Sequence, residues 1–262
     1  MTETAPKTEN VILSEDGPVA TITLNRPRQY NSFNKEMRRE MMAAVVYVEA
    51  SDSIRVCIIR GAGPGFSAGA DVTDFDYDPI SNLILGEFKP FLTRIYEGKC
   101  LYIAQVHGNV AGISIALAMS CDFMTMSEDS AIYLAFAALA LVPDGGVSWH
   151  LVNAMGRQRA LQAIIEGQKI GAGRCLDLGL ANHVVPADEL TEKTNAWARQ
   201  LARSAPHAAS AAKRLIAAAP YIGYADAIDL EAAEQNVLAR TNDFKRCVDA
   251  FAKRTTPEFW GN

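Results

Sequence analysis

Residues 54 to 72 hold the densest chemistry in the chain. Ile54-Arg55-Val56-Cys57-Ile58-Ile59-Arg60 runs into Gly61-Ala62-Gly63-Pro64-Gly65-Phe66-Ser67-Ala68-Gly69-Ala70-Asp71-Val72. The β-branched run suits a buried strand, and the glycines let bare backbone N–H groups approach whatever docks there. Freed backbone donors are what a developing oxyanion needs. Two other chemistries compete. A dinucleotide fingerprint beginning Gly61-x-Gly63 would need glycine where Phe66 stands. Gly65-Phe66-Ser67-Ala68-Gly69 fits the nucleophile-elbow pattern G-x-S-x-G. That elbow must enter a helix directly, whereas Ala70 to Pro79 carries Asp71, Asp74, Asp76 and Asp78 and then the proline. An oxyanion loop using N–H groups and no side chain is the third candidate, and the rest of the chain has to decide.

A second turn of the same kind follows. Gly112 opens the apolar stretch Ile113 to Met119, which predicts a strand-to-helix turn with outward-pointing N–H groups. Farther on, Pro143-Asp144-Gly145-Gly146 places one carboxylate after the apolar run Ala131 to Val142. Read from the residues alone, Asp144 is a helix cap. His150 follows by six residues, facing either a pocket or a subunit contact. His107 is expected to bond backbone beside Gly108, and His183 and His207 have no constellation around them. Asp74-x-Asp76-x-Asp78 fails as a calcium loop, because Pro79 and Leu85 replace its glycine and glutamate. Residues 73–79 are read instead as a solvated lid.

These groups need elements to hold them. Val11 to Ser14 and Val19 to Asn25 predict a hairpin around Asp16-Gly17-Pro18. Asn34 is placed to cap a helix to about Ala50, with Met37, Met41, Val45 and Val48 on one face. A strand over 55–60 leads into the loop. Leu83, Phe88, Leu92 and Ile95 form a helical stripe, and Leu101 to Val106 forms a further strand. From residue 147 onward the pattern is helical, interrupted only by a strand at His183-Val184-Val185.

Composition sets bounds. The 262 residues are 21% charged and 49% hydrophobic with a net charge of −5, an ordinary globule with no basic run to serve as a nucleic-acid footprint. The longest apolar run is too short to span a bilayer. Five scattered cysteines without C-x-x-C indicate neither a disulfide framework nor a metal site. With no apolar leader in residues 1–10, they lead to the expectation of a cytoplasmic protein.

Taken together, several motifs resemble the crotonase superfamily of acyl-CoA enzymes: Leu24-Asn25-Arg26-Pro27, Ser67-Ala68-Gly69-Ala70-Asp71, Gly112-Ile113, Leu141-Val142-Pro143-Asp144-Gly145-Gly146, and Gly167 through Gly179-Leu180. The resemblance runs from about Val11 to Phe259. It implies an α/β fold, a spiral of repeated β-β-α turns. A core over 1–200 would carry the active site, and a helical region over 201–262 would build trimers or dimers of trimers. It implies that the Ala70 and Ile113 N–H groups hold a thioester oxygen, and that Ala68, Gly69 and Asp71 belong to the loop receiving coenzyme A, with Ala68 accepting from the adenine. Arg26 and Arg28 would lie near the phosphates. Phe251 and Arg254 would cover the nucleotide, from the same or a neighbouring subunit. Coenzyme A enters as part of the substrate, and no separate cofactor is expected.

The departures from the family pattern are catalytic. The two glutamates of family hydratases align with Ala116 and Phe136, neither of which moves a proton, and hydration needs both a base and an acid. Asp144 aligns instead with the aspartate of family isomerases, and one carboxylate suffices to shift a double bond. The expectation is therefore an enoyl-CoA isomerase using Asp144, buried against Phe136 and Leu141. A family hydrolase using His150 and an inert CoA-binding protein are the alternatives. Lid residues Phe75, Tyr77, Leu83 and Phe88 leave the acyl group open. Ala116→Glu with Phe136→Glu is expected to introduce hydration if the pocket has the usual room.

Overall fold

The computed structural model describes residue 6 and residues 8–74 and 79–262; the expected lid residues Phe75 and Tyr77 lie outside them. Strands β1 (Val11–Asp16) and β2 (Val19–Leu24) form the hairpin, antiparallel in register from Val11 opposite Leu24 to Asp16 opposite Val19. Helix α1 (Lys35–Ala50) follows. Asn34 caps it, its Oδ1 accepting the Met37 N–H at 2.9 Å, a contact worth about 1 kcal/mol. The predicted apolar face of α1 is buried.

Strand β3 (Val56–Gly61) pairs parallel with β2 and feeds the glycine loop. A short helix α2 (Ile80–Leu83), a π-helical turn (Ile84–Phe88) and α3 (Lys89–Glu97) run on continuously. Then come β4 (Leu101–Val106), β5 (Asn109–Ala111), α4 (Ser114–Ser120), β6 (Phe123–Ser127) and β7 (Ala131–Tyr133). Helices α5 (Val147–Met155) and α6 (Arg157–Ile165), strand β8 (Lys169–Gly171), helix α7 (Ala172–Asp177) and strand β9 (His183–Val185) complete the core. Four helices end the chain: α8 (Leu190–Leu201), α9 (Pro206–Ala218), α10 (Tyr224–Leu238) and α11 (Asn242–Lys253).

The main sheet runs β1-β2-β3-β4-β6-β9, parallel from β2 onward. A second ladder runs beside it. Ser67 bridges Val110, Val110 pairs Ile132, and Ile132 pairs Ile170. The passes β3–Ser67, β4–β5 and β6–β7 each add a rung to both ladders before the next helix, which is the spiral of β-β-α turns. Strand β8 corrects the sequence expectation that only residues 183–185 interrupt the helices. Three residues carry too little periodicity to be seen, and the antiparallel partner Tyr133–Ala131 makes them a strand. The apolar run 131–142 also divides, into β7 and a 3-10 turn at Ala135–Leu139, instead of forming one element.

No helix among the described residues is long and apolar enough to cross a membrane.

Candidate active site

The loop after β3 is held by one buried side chain. Asn31 sits in the left-handed region at φ 54°, which asparagine tolerates better than most residues. Its Nδ2 donates to the carbonyls of Ala62 (2.8 Å), Gly65 (2.9 Å) and Phe66 (3.1 Å), while Oδ1 accepts the Arg26 N–H at 2.9 Å. Beyond it the Ser67 hydroxyl donates to Asn31 O at 2.7 Å and lies 2.5 Å from Ser114 Oγ. Ser67 has spent its one proton on Asn31, so Ser114 donates to Ser67. The Gly69 N–H reaches the same oxygen at 3.3 Å. A buried hydroxyl pair therefore ties the glycine loop to the first residue of α4. Sequence motifs did not single out Asn31 or Ser114; an asparagine just after the Arg26-Pro27 turn was the one available sign.

The two turns are in contact. A Cβ added at Gly69 (φ 100°) would lie 2.9 Å from Ala111 O and 3.3 Å from the Ile113 nitrogen. One added at Gly112 would lie 3.3 Å from Ala68 O. Only glycine allows this approach. Among the described residues neither the Ala70 N–H nor the Ile113 N–H has an acceptor. Paired donors left open between touching turns can stabilise negative charge on a bound oxygen.

Asp144 precedes Gly145, which packs on Ile113, and its side chain does not cap a helix. Helix α5 starts beyond Gly146 with no side-chain cap; only the Asp144 carbonyl is used, accepting the Val147 N–H at 3.1 Å. Its Oδ1 is buried without a partner among the described residues. Burial pushes the carboxyl up to about 6, against a smaller opposing hydrogen bond from its own backbone. Of the two residues expected to bury it, Phe136 is itself buried and Leu141 is 52% exposed. The close packing comes instead from Gly145, where an added Cβ would lie 2.6 Å from Ala116 Cβ, 3.1 Å from Ile113 Cγ1 and 3.2 Å from Leu92 Cδ1. The room that a glutamate at Ala116 would need is occupied by the backbone next to Asp144.

A cavity of about 380 Å³ opens at Gly145 and Gly146, walled by Leu92, Tyr96, Trp149, His150 and Tyr221. Trp149 meets Tyr96 edge-on at 5.7 Å and stacks on Tyr221 at 6.1 Å and 13°. His150 turns its ring against Trp149 at 4.9 Å, and burial lowers its pKa to about 4, which leaves a neutral imidazole. Leu83 and Phe88, expected at a lid, belong to the core; Phe88 packs edge-on against Phe33 at 5.8 Å. Of the stripe that carries them, Leu83, Phe88 and Ile95 join the core, while Leu92 reaches the cavity.

The sequence profile of the enoyl-CoA hydratase/isomerase family matches residues 14–262. The chain belongs to that family. A 1,2-epoxyphenylacetyl-CoA isomerase of Escherichia coli is 31% identical over 249 residues, spanning 93% of this chain and 95% of its own. A trans-2-decenoyl-[acyl-carrier-protein] isomerase of Streptococcus mutans is 28% identical, spanning 97% and 98%. A probable enoyl-CoA hydratase of Rhodobacter capsulatus is 31% identical, spanning 93% and 95%. Among solved structures, an enoyl-CoA hydratase subunit from Geobacillus kaustophilus superposes with a TM-score of 0.91 at 28% identity, covering 98% of this chain and 100% of that one.

The residues expected at coenzyme A fall at separate places in this enoyl-CoA hydratase/isomerase chain. Arg26 Nη1 is committed inward, to Asp71 at 3.0 Å and to Ser32. The Thr73 hydroxyl and then the Arg26 guanidinium hold the Asp71 carboxyl below its ordinary range. This pair clamps the loop ends. Arg28 is exposed on the Pro27–Gln29 turn, which reaches Ala68 through the Ala68 N–H to Tyr30 O bond of 2.9 Å. Ala68 is exposed and Gly69 buried. Phe251 and Arg254 are exposed at the end of α11, and no hydrogen bond or ion pair among the described residues joins them to the loop. The tail after α11 is anchored by Arg55 Nη2 to Phe259 O at 2.6 Å, at the opposite end of β3 from the loop. A single chain does not bring that pair to the glycine turns through these bonds.

Proposed function

We propose that the protein is an acyl-CoA isomerase that moves a carbon–carbon double bond in an enoyl thioester with Asp144 as its one proton carrier. The observation that carries this is Asp144 itself: a half-buried carboxylate whose Oδ1 is buried without a partner and whose pKa is raised to about 6, in a chain where Ala116 and Phe136 provide no second acid. A base poised near neutrality takes a proton beside the unsaturation and returns it along the dienolate. The Ala70 and Ile113 N–H groups take the enolate oxygen, each donor worth on the order of 3 kcal/mol. Hydration would need a second carboxylate to position and activate water, and packing at Gly145 leaves no space for one. Arg28 and the Ala68 backbone supply the exposed side of the nucleotide site, while Arg26 and Asp71 act through the loop they clamp.

Helix α10 buries none of its residues within one chain, and Tyr224 and Val237 stand exposed on it. That supports assembly through the C-terminal helices, as trimers or pairs of trimers, with Phe251 and Arg254 serving a neighbouring subunit.

The test is formation of the conjugated 2-enoyl thioester from a 3-enoyl-CoA, followed in the ultraviolet. Release of free thiol instead would replace isomerisation with hydrolysis, and tight binding without turnover would end the enzymatic reading.

A further inference from the structure

The cavity that opens at Gly145 and Gly146 is lined by the exposed Lys89, Glu97 and Tyr221, by Thr93, and by three further polar side chains that the isomerisation does not use. Tyr96 is the penultimate residue of α3, Ser120 the last of α4, and His150 the fourth of α5; all three line the space that opens at Gly145 and Gly146. Ser120 is only 4% exposed. Among the described residues, the Tyr96 hydroxyl, the Ser120 hydroxyl and the His150 ring nitrogens make no hydrogen bond, and none of these atoms is sealed from solvent. Ring contacts hold two of them in place, with Tyr96 and His150 at 6.0 Å and both packed edge-on to Trp149.

A pocket for a plain hydrocarbon chain gains nothing from such groups. Polar atoms taken out of water and left unpaired cost free energy, and a hydrocarbon guest would complete their desolvation. Ligand sites instead combine an apolar wall with a few placed polar groups that read a matching group on the ligand. Here two hydroxyls and a neutral imidazole, each able to donate and accept, line one cavity from three helices.

Resting on the acyl-CoA reading above, we propose that the preferred acyl group carries an oxygen function, a hydroxyl or carbonyl remote from the thioester, which hydrogen-bonds to Tyr96, Ser120 and His150. These three are specificity-determining residues. Trp149 and Tyr221 supply the flat apolar wall along which the intervening carbons lie.

The experiment uses saturated thioesters, so that binding is read without turnover. Affinities of a series of ω-hydroxyacyl-CoAs of increasing length are compared by calorimetry with their plain acyl counterparts. At one chain length the hydroxyl should tighten binding about ten-fold, the equivalent of one well-made neutral hydrogen bond. In Ser120→Ala, Tyr96→Phe and His150→Phe proteins that ratio should fall toward one. Equal affinity for both members of every pair overturns the proposal, as does a preference that survives all three substitutions. Failure of either kind with CoA thioesters still bound leaves the isomerase reading standing, whereas absence of any CoA-dependent binding removes both.

Discussion

Gly145 lies so close to Ala116 that a Cβ on the glycine would stand 2.6 Å from the alanine's own. The two residues couple the missing hydratase carboxylate to the remaining aspartate. The small residue at 116 lets the Pro143–Gly146 turn pack on α4, and the Asp144 Oδ1 next to that contact is buried.

Gly145→Ala tests that coupling. The substitution meets both a left-handed φ of 61° and the Ala116 contact, so about 1–3 kcal/mol of stability should be lost. Turnover should fall further than stability alone explains, because Asp144 is displaced with the turn. The same contact revises the outcome for Ala116→Glu with Phe136→Glu. The double variant should be poorly stable and should lack crotonyl-CoA hydration, as read by loss of the 2-enoyl absorbance. Robust hydration would show that the turn yields more easily than the packing implies.

Asp144→Asn should lower isomerase kcat by about 10²- to 10⁴-fold while leaving CoA affinity intact. Near-normal turnover would remove Asp144 from the mechanism.

The pH behaviour follows from the same group. Its carboxyl titrates at about 6 in the folded protein. As a base it must be ionised, so kcat/KM should rise through about pH 6. Stability runs the other way. The folded state holds the proton more tightly than the unfolded chain, whose aspartate titrates near 3.9, so stability falls as pH rises between those values, by up to about 3 kcal/mol. Asp144→Asn should therefore raise Tm at pH 7 and lose that advantage at pH 4. An unchanged Tm at both values would contradict the burial of the charge.

Ser67→Ala removes the oxygen that receives both Ser114 Oγ and the Gly69 N–H. Leaving those donors buried and unpaired should cost about 1–3 kcal/mol by denaturant titration. It should also reduce kcat more than KM, since the two open N–H groups lose their common spacer. A stability loss with unaltered kinetics would make the hydroxyl pair purely structural.

If the proposed trimeric assembly covers α10, which buries nothing alone, sedimentation should give a multiple of three chains. A monomer stable at micromolar concentration would refute the assembly.

Local chemistry made much of this legible from residues. The hairpin follows from Asp16-Gly17-Pro18, the α1 start from Asn34, and the donor turns from glycines that only a left-handed or crowded backbone requires. Resemblance then singled out Asp144, where the residues alone favoured a cap. Tertiary structure decided the rest, because the deciding contacts join residues far apart in sequence. That Asn31 gathers the loop carbonyls, that Arg26 is spent on Asp71, and that Leu83 and Phe88 are core depends on which elements meet in space. So does the state of Asp144. Its identity could be read from the chain, but a carboxyl pKa is set by the water excluded around it, and that exclusion exists only once Gly145 has packed against Ala116 and Leu92.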